Sequence, residues 1–287
     1  MLAAMTDVVV CGPSSWNHVV DVEELPPPRP HMRFARGDLH TLGGTSAGKA
    51  LHLRDLGRSV RLHTVVGTDG VAPRIVGTLE AAGVPVSVET TAGPSERHLN
   101  LMDPYGGRVS IYLDVPACPG APPPPTLADD VAGARAVVLD LSARSRGLVE
   151  AVRGMGVPIW TDVHDYDGRS DFHRPFLEAA SYVFMNADKV PDPVDLLRSL
   201  TAGGVMLAVC TLGANGALAV DADGEVHRVA AQPVDRVVDT NGAGDGFLAG
   251  ALHATLDGAS VEQALRAGAA QAARALGSRH LSPLLDR

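Results

Sequence analysis

The stretch Val237-Val238-Asp239-Thr240-Asn241-Gly242-Ala243-Gly244-Asp245-Gly246-Phe247 carries the strongest chemical signal in this chain. An apolar stretch meets a turn of small residues, and a long helix-forming run follows. Gly242, Ala243 and Gly244 let a ligand come close to the main chain. Their N–H groups, with those of the first helical turn, make a positive concavity suited to phosphate. Asp245 falls in that first turn, where the helix dipole favours a carboxylate. The plainer alternative is that Asp245 caps the helix and the glycines only make the turn. Two further glycine patterns compete for attention. Gly244 to Ala249 matches G-x-G-x-x-A, but that fingerprint needs another strand after its helix, and the remaining residues read as two helices and a tail. Gly43 to Lys49 follows the phosphate-loop pattern until Ala50, where the Mg²⁺-binding hydroxyl is missing.

Something must hold these groups in place. Val8 to Cys11, Ala136 to Leu139, Pro158 to Thr161, Tyr182 to Met185 and Met206 to Cys210 are short continuous apolar runs. Such runs indicate strands of a parallel sheet buried on both faces. Helical stretches alternate with them (Pro73 to Ala82, Ser145 to Arg153, Pro193 to Ala202), which implies an open, doubly wound α/β sheet. Residues 18–42 and 97–115 break this rhythm. Each reads as a pair of strands around a turn, the second turn being Asp103-Pro104-Tyr105-Gly106-Gly107, and together they suggest a small separate sheet acting as a lid. The proline-rich Pro119 to Pro125 predicts a semi-rigid connector.

Composition narrows the function classes. The 287 residues suit one α/β domain, and a net charge of −9 argues against nucleic acid or an anionic membrane as the partner. No apolar run is long enough to span a bilayer, and no basic leader precedes an apolar stretch, so a cytoplasmic protein is expected. Cys11, Cys118 and Cys210 lack metal or redox spacing and read as reduced, buried thiols. Lys49 and Lys189 are the only lysines.

Asp239 to Phe247 resembles the C-terminal signature of the ribokinase-like (PfkB) carbohydrate kinases, and the resemblance extends along nearly the whole chain. Val8 to Gly12 is similar to the family's opening strand and turn, Gly43-Gly44 to its double-glycine motif, Val66-Gly67-Thr68-Asp69-Gly70 to its V-G-x-D segment, and Thr211 to Gly216 to its nucleotide strand and turn. The resemblance implies a single ribokinase-like domain over 1–287, a mainly parallel sheet with a β-lid, and ATP- and Mg²⁺-dependent transfer of the γ-phosphoryl group to a hydroxymethyl group of a sugar. A nucleoside kinase or a catalytically silent binding protein on the same scaffold are the alternatives. By the same resemblance Asp245 is the base, and Gly242, Ala243 and Gly244 form the anion hole. Asn17, Gly43, Gly44 and Gly48 face the acceptor; Asn186, Thr211, Gly213 and Gly216 face ATP. Asp239 and Asn241 align with a monovalent-cation site, K⁺ being the candidate. Lids of this type imply a homodimer.

The chain departs from the family at three positions. Asn17 stands where an Asp is common, Gly48 where an Asn is usual, and Lys189 where a Glu organises water around Mg²⁺. Asp188 or Asp162 are candidates to replace that Glu. His164, in Thr161 to Asp167, follows a core strand where ligands sit in open sheets, and Trp16 is the one aromatic beside the acceptor positions that could stack on a ring.

Overall fold

Every apolar run named above is a strand in the middle of one sheet. The computed structural model describes residues 6–287. In chain order the elements are β1 Val8–Cys11, β2 Ser15–Asp21, β3 Gly37–Gly43, α1 Thr45–Asp55, β4 Val60–Val66, α2 Ala72–Ala81, β5 Val86–Thr90, β6 Arg97–Met102 and β7 Arg108–Asp114. There follow α3 Pro125–Ala132, β8 Ala136–Leu139, α4 Ala143–Arg153, β9 Ile159–Asp162, α5 Arg174–Ala179, β10 Tyr182–Asn186 and α6 Val194–Ala202. The chain ends with β11 Leu207–Thr211, β12 Ala217–Asp221, β13 Val226–Val229, α7 Ala243–Leu256 and α8 Val261–Ala275. No helix among the described residues is long and apolar enough to cross a membrane.

The large sheet runs β13-β12-β11-β10-β9-β8-β1-β4-β5. Pairings from β11 through β5 are parallel, and β12 and β13 add an antiparallel edge. Alternate residues of β1 face opposite helix layers, as a pleated strand requires. Val8 and Val10 join the core that holds Leu51 of α1, Leu248 of α7 and Leu265 of α8. Val9 and Cys11 join the core of Leu127, Leu148 and Phe176 from α3, α4 and α5. Each such side chain taken wholly from water contributes about 1.5–3 kcal/mol. The fold class is therefore the expected doubly wound α/β sheet. Cys11 and Cys210 are buried as expected, but Cys118 is exposed, because it lies between the end of β7 and the connector rather than in a strand.

The second sheet has the order β3-β2-β6-β7. Its strands fall on the two expected segments with shifted ends. β2 begins at Ser15, before residue 18, and β3 runs Gly37–Gly43, one residue past 42. Prolines cannot donate ladder hydrogen bonds, so the stretch around Pro26 to Pro30 stays outside the sheet. At the other hairpin Asp103 Oδ1 accepts from the N–H of Tyr105 and Gly107, closing the expected turn. The connector holds as far as Pro124, and Pro125 opens α3 at a position that needs no N–H.

Candidate active site

Four adjacent strands deliver side chains to one crest. Asp140 directly follows β8, while Asp162, Asn186 and Thr211 are the last residues of β9, β10 and β11. The carboxyl ends of parallel strands are where open α/β sheets bind ligands. A cleft of about 660 Å³ lies over this crest. Its walls include Asp162, His164, Asn186, Thr211 and Gly213 on the sheet side, and Gly242, Gly244 and Asp245 on the helix side.

Gly242 has φ +79°, the left-handed conformation that glycine favours, and a β-carbon there would overlap the carbonyl of Leu281. That bend starts α7 with no side-chain cap, so the N–H groups of Gly244 and Asp245 are left to a ligand, while that of Ala243 makes a long bond of 3.4 Å to the Thr240 carbonyl. Asp245 is the third helical residue, not the cap. Its side chain turns to α1, where Oδ1 accepts a hydrogen bond from Lys49 Nζ at 2.8 Å. Gly48, the preceding residue on α1, makes room: a β-carbon there would overlap the Asp245 carboxylate.

Lys49 has no exposed surface, and it also lies 3.1 Å from Asp140 and 3.3 Å from Asp162. Asp140 is held in turn by the Ser46 hydroxyl at 2.7 Å, and Asp162 by the N–H of His164 at 2.9 Å. Burial alone would drive the ammonium to give up its proton, yet Asp140, Asp245 and Asp162 reverse this and hold Lys49 charged well above the ordinary lysine range. Asp245 moves the other way for a carboxylate. Burial, helped by Asp140 and Asp162, outweighs Lys49 and pushes it up to about 6. Asp162 is buried too, but His164 and Lys49 keep it below the usual carboxylate range.

The lid reaches down onto this helix start. Arg108, first residue of β7, donates to Asn241 Oδ1 at 2.7 Å and lines the cleft as the only guanidinium there among the described residues. Thr41 of β3 bonds His280 at 2.7 Å, and Arg279 pairs with Asp21 of β2 at 2.9 Å. Register puts Asn17, Val19 and Asp21 of β2 on the same, inward face as Asn100 and Met102 of β6 and Arg108 of β7. Asn100 is buried there with Oδ1 unpartnered.

The glycines of the acceptor side act through the protein's own groups. A β-carbon at Gly43 would overlap Asn17, and one at Gly44 would press on the Pro13 carbonyl, so the pair lets the turn after β1 lie against α1. Gly213 lines the cleft, whereas Gly216 lies outside its wall, where its missing side chain lets the β11–β12 turn pass the Val229 carbonyl. Lys189 pairs with Asp165 at 2.9 Å and is solvated. Asp162 is committed to Lys49 and His164, which leaves Asp188 as the exposed carboxylate of the cleft. Trp16 is half-buried and packs against the core. Lys49, Asp140, Asn100 and Arg108 were not singled out as site residues in the sequence. The scarcity of lysine was the one signal pointing to Lys49.

An open helix start beside a buried carboxylate, in a cleft at the strand ends and under a β-lid, defines a phosphoryl-transferring α/β enzyme. Comparison with known proteins narrows the class. A profile of the pfkB family carbohydrate kinases matches residues 177–285. The acarbose 7(IV)-phosphotransferase of Actinoplanes sp. is 31% identical over 272 residues, which is 92% of this chain and 90% of that protein. Among solved structures, the microbiome-derived acarbose kinase Mak1 superposes with a TM-score of 0.86 at 30% identity, covering 99% of this chain and all of that one (100%). Arabidopsis thaliana ribokinase complexed with ribose and ATP shares the fold, with a TM-score of 0.80 at 21% identity over 98% and 95% of the two chains. The chain belongs to the pfkB family of carbohydrate kinases, and its activity is ATP-dependent phosphoryl transfer to a sugar.

Proposed function

We propose that the chain works as one catalytic unit that phosphorylates a hydroxymethyl group of a sugar, with Asp245 as the base. The observation that carries this reading is the Asp245 carboxylate at an uncapped helix start, open to the cleft, with its charge tuned by Lys49. The acceptor hydroxyl would approach from beneath the lid, past Asn17 and Asn100. Its O–H bond breaks as oxygen bonds the γ-phosphorus, the proton passes to Asp245, and ADP leaves with the bridging oxygen. The N–H groups of Gly242, Ala243, Gly244 and Asp245 meet the charge that develops on the moving phosphoryl, a contribution of about 3–4 kcal/mol per donor in comparable sites. Asn186, Thr211 and Gly213 would line the ATP phosphates and ribose.

The cleft offers Asn186 and the exposed Asp188 as hard oxygen groups, which suits Mg²⁺. When bound with ATP, Mg²⁺ would supply charge neutralisation between the β- and γ-phosphates. The side-chain oxygens expected to hold K⁺ fit less well. Asp239 Oδ1 accepts from the N–H and amide of Asn241, and Asn241 Oδ1 already receives Arg108. A K⁺ site there would rest on Asp239 Oδ2, and equal rates in sodium and potassium salts would remove it.

The acceptor reading leans on the Actinoplanes and Mak1 relatives: a sugar of the acarbose kind rather than a nucleoside. The outward face of β7 leaves Val109, Ile111 and Leu113 exposed on an edge strand, which supports a homodimer through the lid. The acidic surface and the absence of a disulfide fit a cytoplasmic enzyme without a nucleic-acid partner. A thermal-shift screen of sugars, acarbose and nucleosides, with a non-hydrolysable ATP analogue, tests the acceptor. A sugar that raises the melting temperature and then supports ADP release bears the reading out. Turnover with nucleosides alone contradicts it.

A further inference from the structure

We propose that Lys49 is a positioning residue that holds the Asp245 carboxylate as the anion and leaves its second oxygen to take the acceptor's proton. The inference rests on Asp245 being the base.

An ammonium carries three N–H groups, and three carboxylates stand around Lys49: Asp245 from α7 at 2.8 Å, Asp140 after β8 at 3.1 Å and Asp162 from β9 at 3.3 Å. Every element packed on the nitrogen therefore supplies one acid, and solvent reaches none of it. The other groups that face the cluster are few. Ser46 of α1 donates to Asp140, His164 lies 3.4 Å from Asp162, and Arg108 sits across the cleft wall on Asn241. Three acids converging on one buried point cannot all stay ionised without a cation, because like charges in a poor solvent repel strongly. Lys49 supplies the cation that the cluster itself contains.

Geometry then divides the labour at Asp245. Oδ1 is bound to Lys49, while Oδ2 packs against the Gly48 backbone, has no hydrogen-bond partner among the described residues, and belongs to a carboxylate that lines the cleft. A planar guanidinium has a fixed fork of donors and more bulk, and it cannot reproduce one hydrogen bond to Asp245 together with ion-pair contacts to Asp140 and Asp162 at a single nitrogen. The adjacent Gly48-Lys49 pair on α1 is thus one device: the first residue yields space to the carboxylate and the second fixes its charge and direction.

Two measurements test this. The chain has only Lys49 and Lys189, so protein labelled with ¹⁵N-lysine shows two side-chain ammonium resonances. The buried one should persist as a protonated, slowly exchanging group above neutral pH. It should also report an inflection near pH 6, where Asp245 titrates, that vanishes in Asp245→Asn. A buried resonance that loses its proton near neutral pH, or one with no such inflection, overturns the proposal. The second measurement is the pH profile of kcat/KM. Lys49→Met should raise its acid limb by about one pH unit or more, and Asp162→Asn should lower it. Lys49→Arg should not restore the wild-type profile. A rate loss equal at every pH with the limb unmoved marks a merely structural lysine and contradicts the proposal. If Lys49→Met does not fold, the wild-type resonance still decides. Wild-type enzyme that turns over no acceptor would sink the kinase chemistry while leaving the ammonium result readable.

Discussion

Asp245 sits in an environment that opposes its ionisation, and this has a cost in stability. Its ordinary value of 3.8 rises to about 6 in the folded protein. A carboxyl raised in this way favours folding below its unfolded value and loses that contribution as pH climbs through the folded one. Above about pH 6 the shift corresponds to about 3 kcal/mol against the fold, since each unit is worth about 1.36 kcal/mol. Asp245→Asn should therefore melt several degrees above the wild type at neutral pH, at about 2–4 °C per kcal/mol, with the gain shrinking below pH 6. Differential scanning calorimetry across pH checks this; an unchanged or lowered melting temperature at neutral pH contradicts it. Gly48→Ala probes the same carboxylate sterically. The new methyl group meets Asp245, so kcat should fall about 10-fold or more, as expected when a reacting group is misplaced by about 1 Å, while ATP-analogue binding persists. These two residues show what the sequence conveyed unevenly. Asp245 was legible from its helix start. The role of Gly48 was not, because its space is filled by a residue almost two hundred positions away, and no local pattern records such a contact.

At the level of elements, the lid and α7 act through a small latch. Arg108 of β7 bonds Asn241, just before the helix start, so the strand that covers the cleft also places a guanidinium beside the helix start proposed to hold the transferring phosphate. A hydrogen bond to a charged group is worth about 1.5–3 kcal/mol. Arg108→Ala should lower kcat/KM for ATP by about 10-fold or more on that scale. It should also raise ADP release without acceptor relative to release with acceptor, because a loosened lid admits water. Arg108→Lys should recover part of the coupling. Equal transfer-to-hydrolysis ratios in wild type and Arg108→Ala contradict the latch. The strands of the lid were legible from their turns, including Asp103 to Gly107. Their docking was not, since it depends on pairs such as Thr41–His280 and Arg279–Asp21 that join distant segments. Even so, the continuous apolar strands gave away the main sheet, because strands covered on both faces have no polar side to show.

Across the whole molecule, the mainly parallel sheet brings Asp140, Asp162, Asn186 and Thr211 from separate stretches of chain to one crest. The α1 and α7 helices then close that crest with Lys49 and Asp245. The motif at residues 239–247 located the helix start, but the buried acid cluster around Lys49 exists only once four elements are assembled. Single-turnover transfer of the γ-phosphoryl group from ATP to the best sugar of the panel, compared between wild type and Asp245→Asn, decides whether Asp245 is the base. The chemical step should slow by about 10²–10⁴-fold, with sugar and nucleotide affinities nearly unchanged. A variant that transfers phosphate at the wild-type rate would show that the base lies elsewhere.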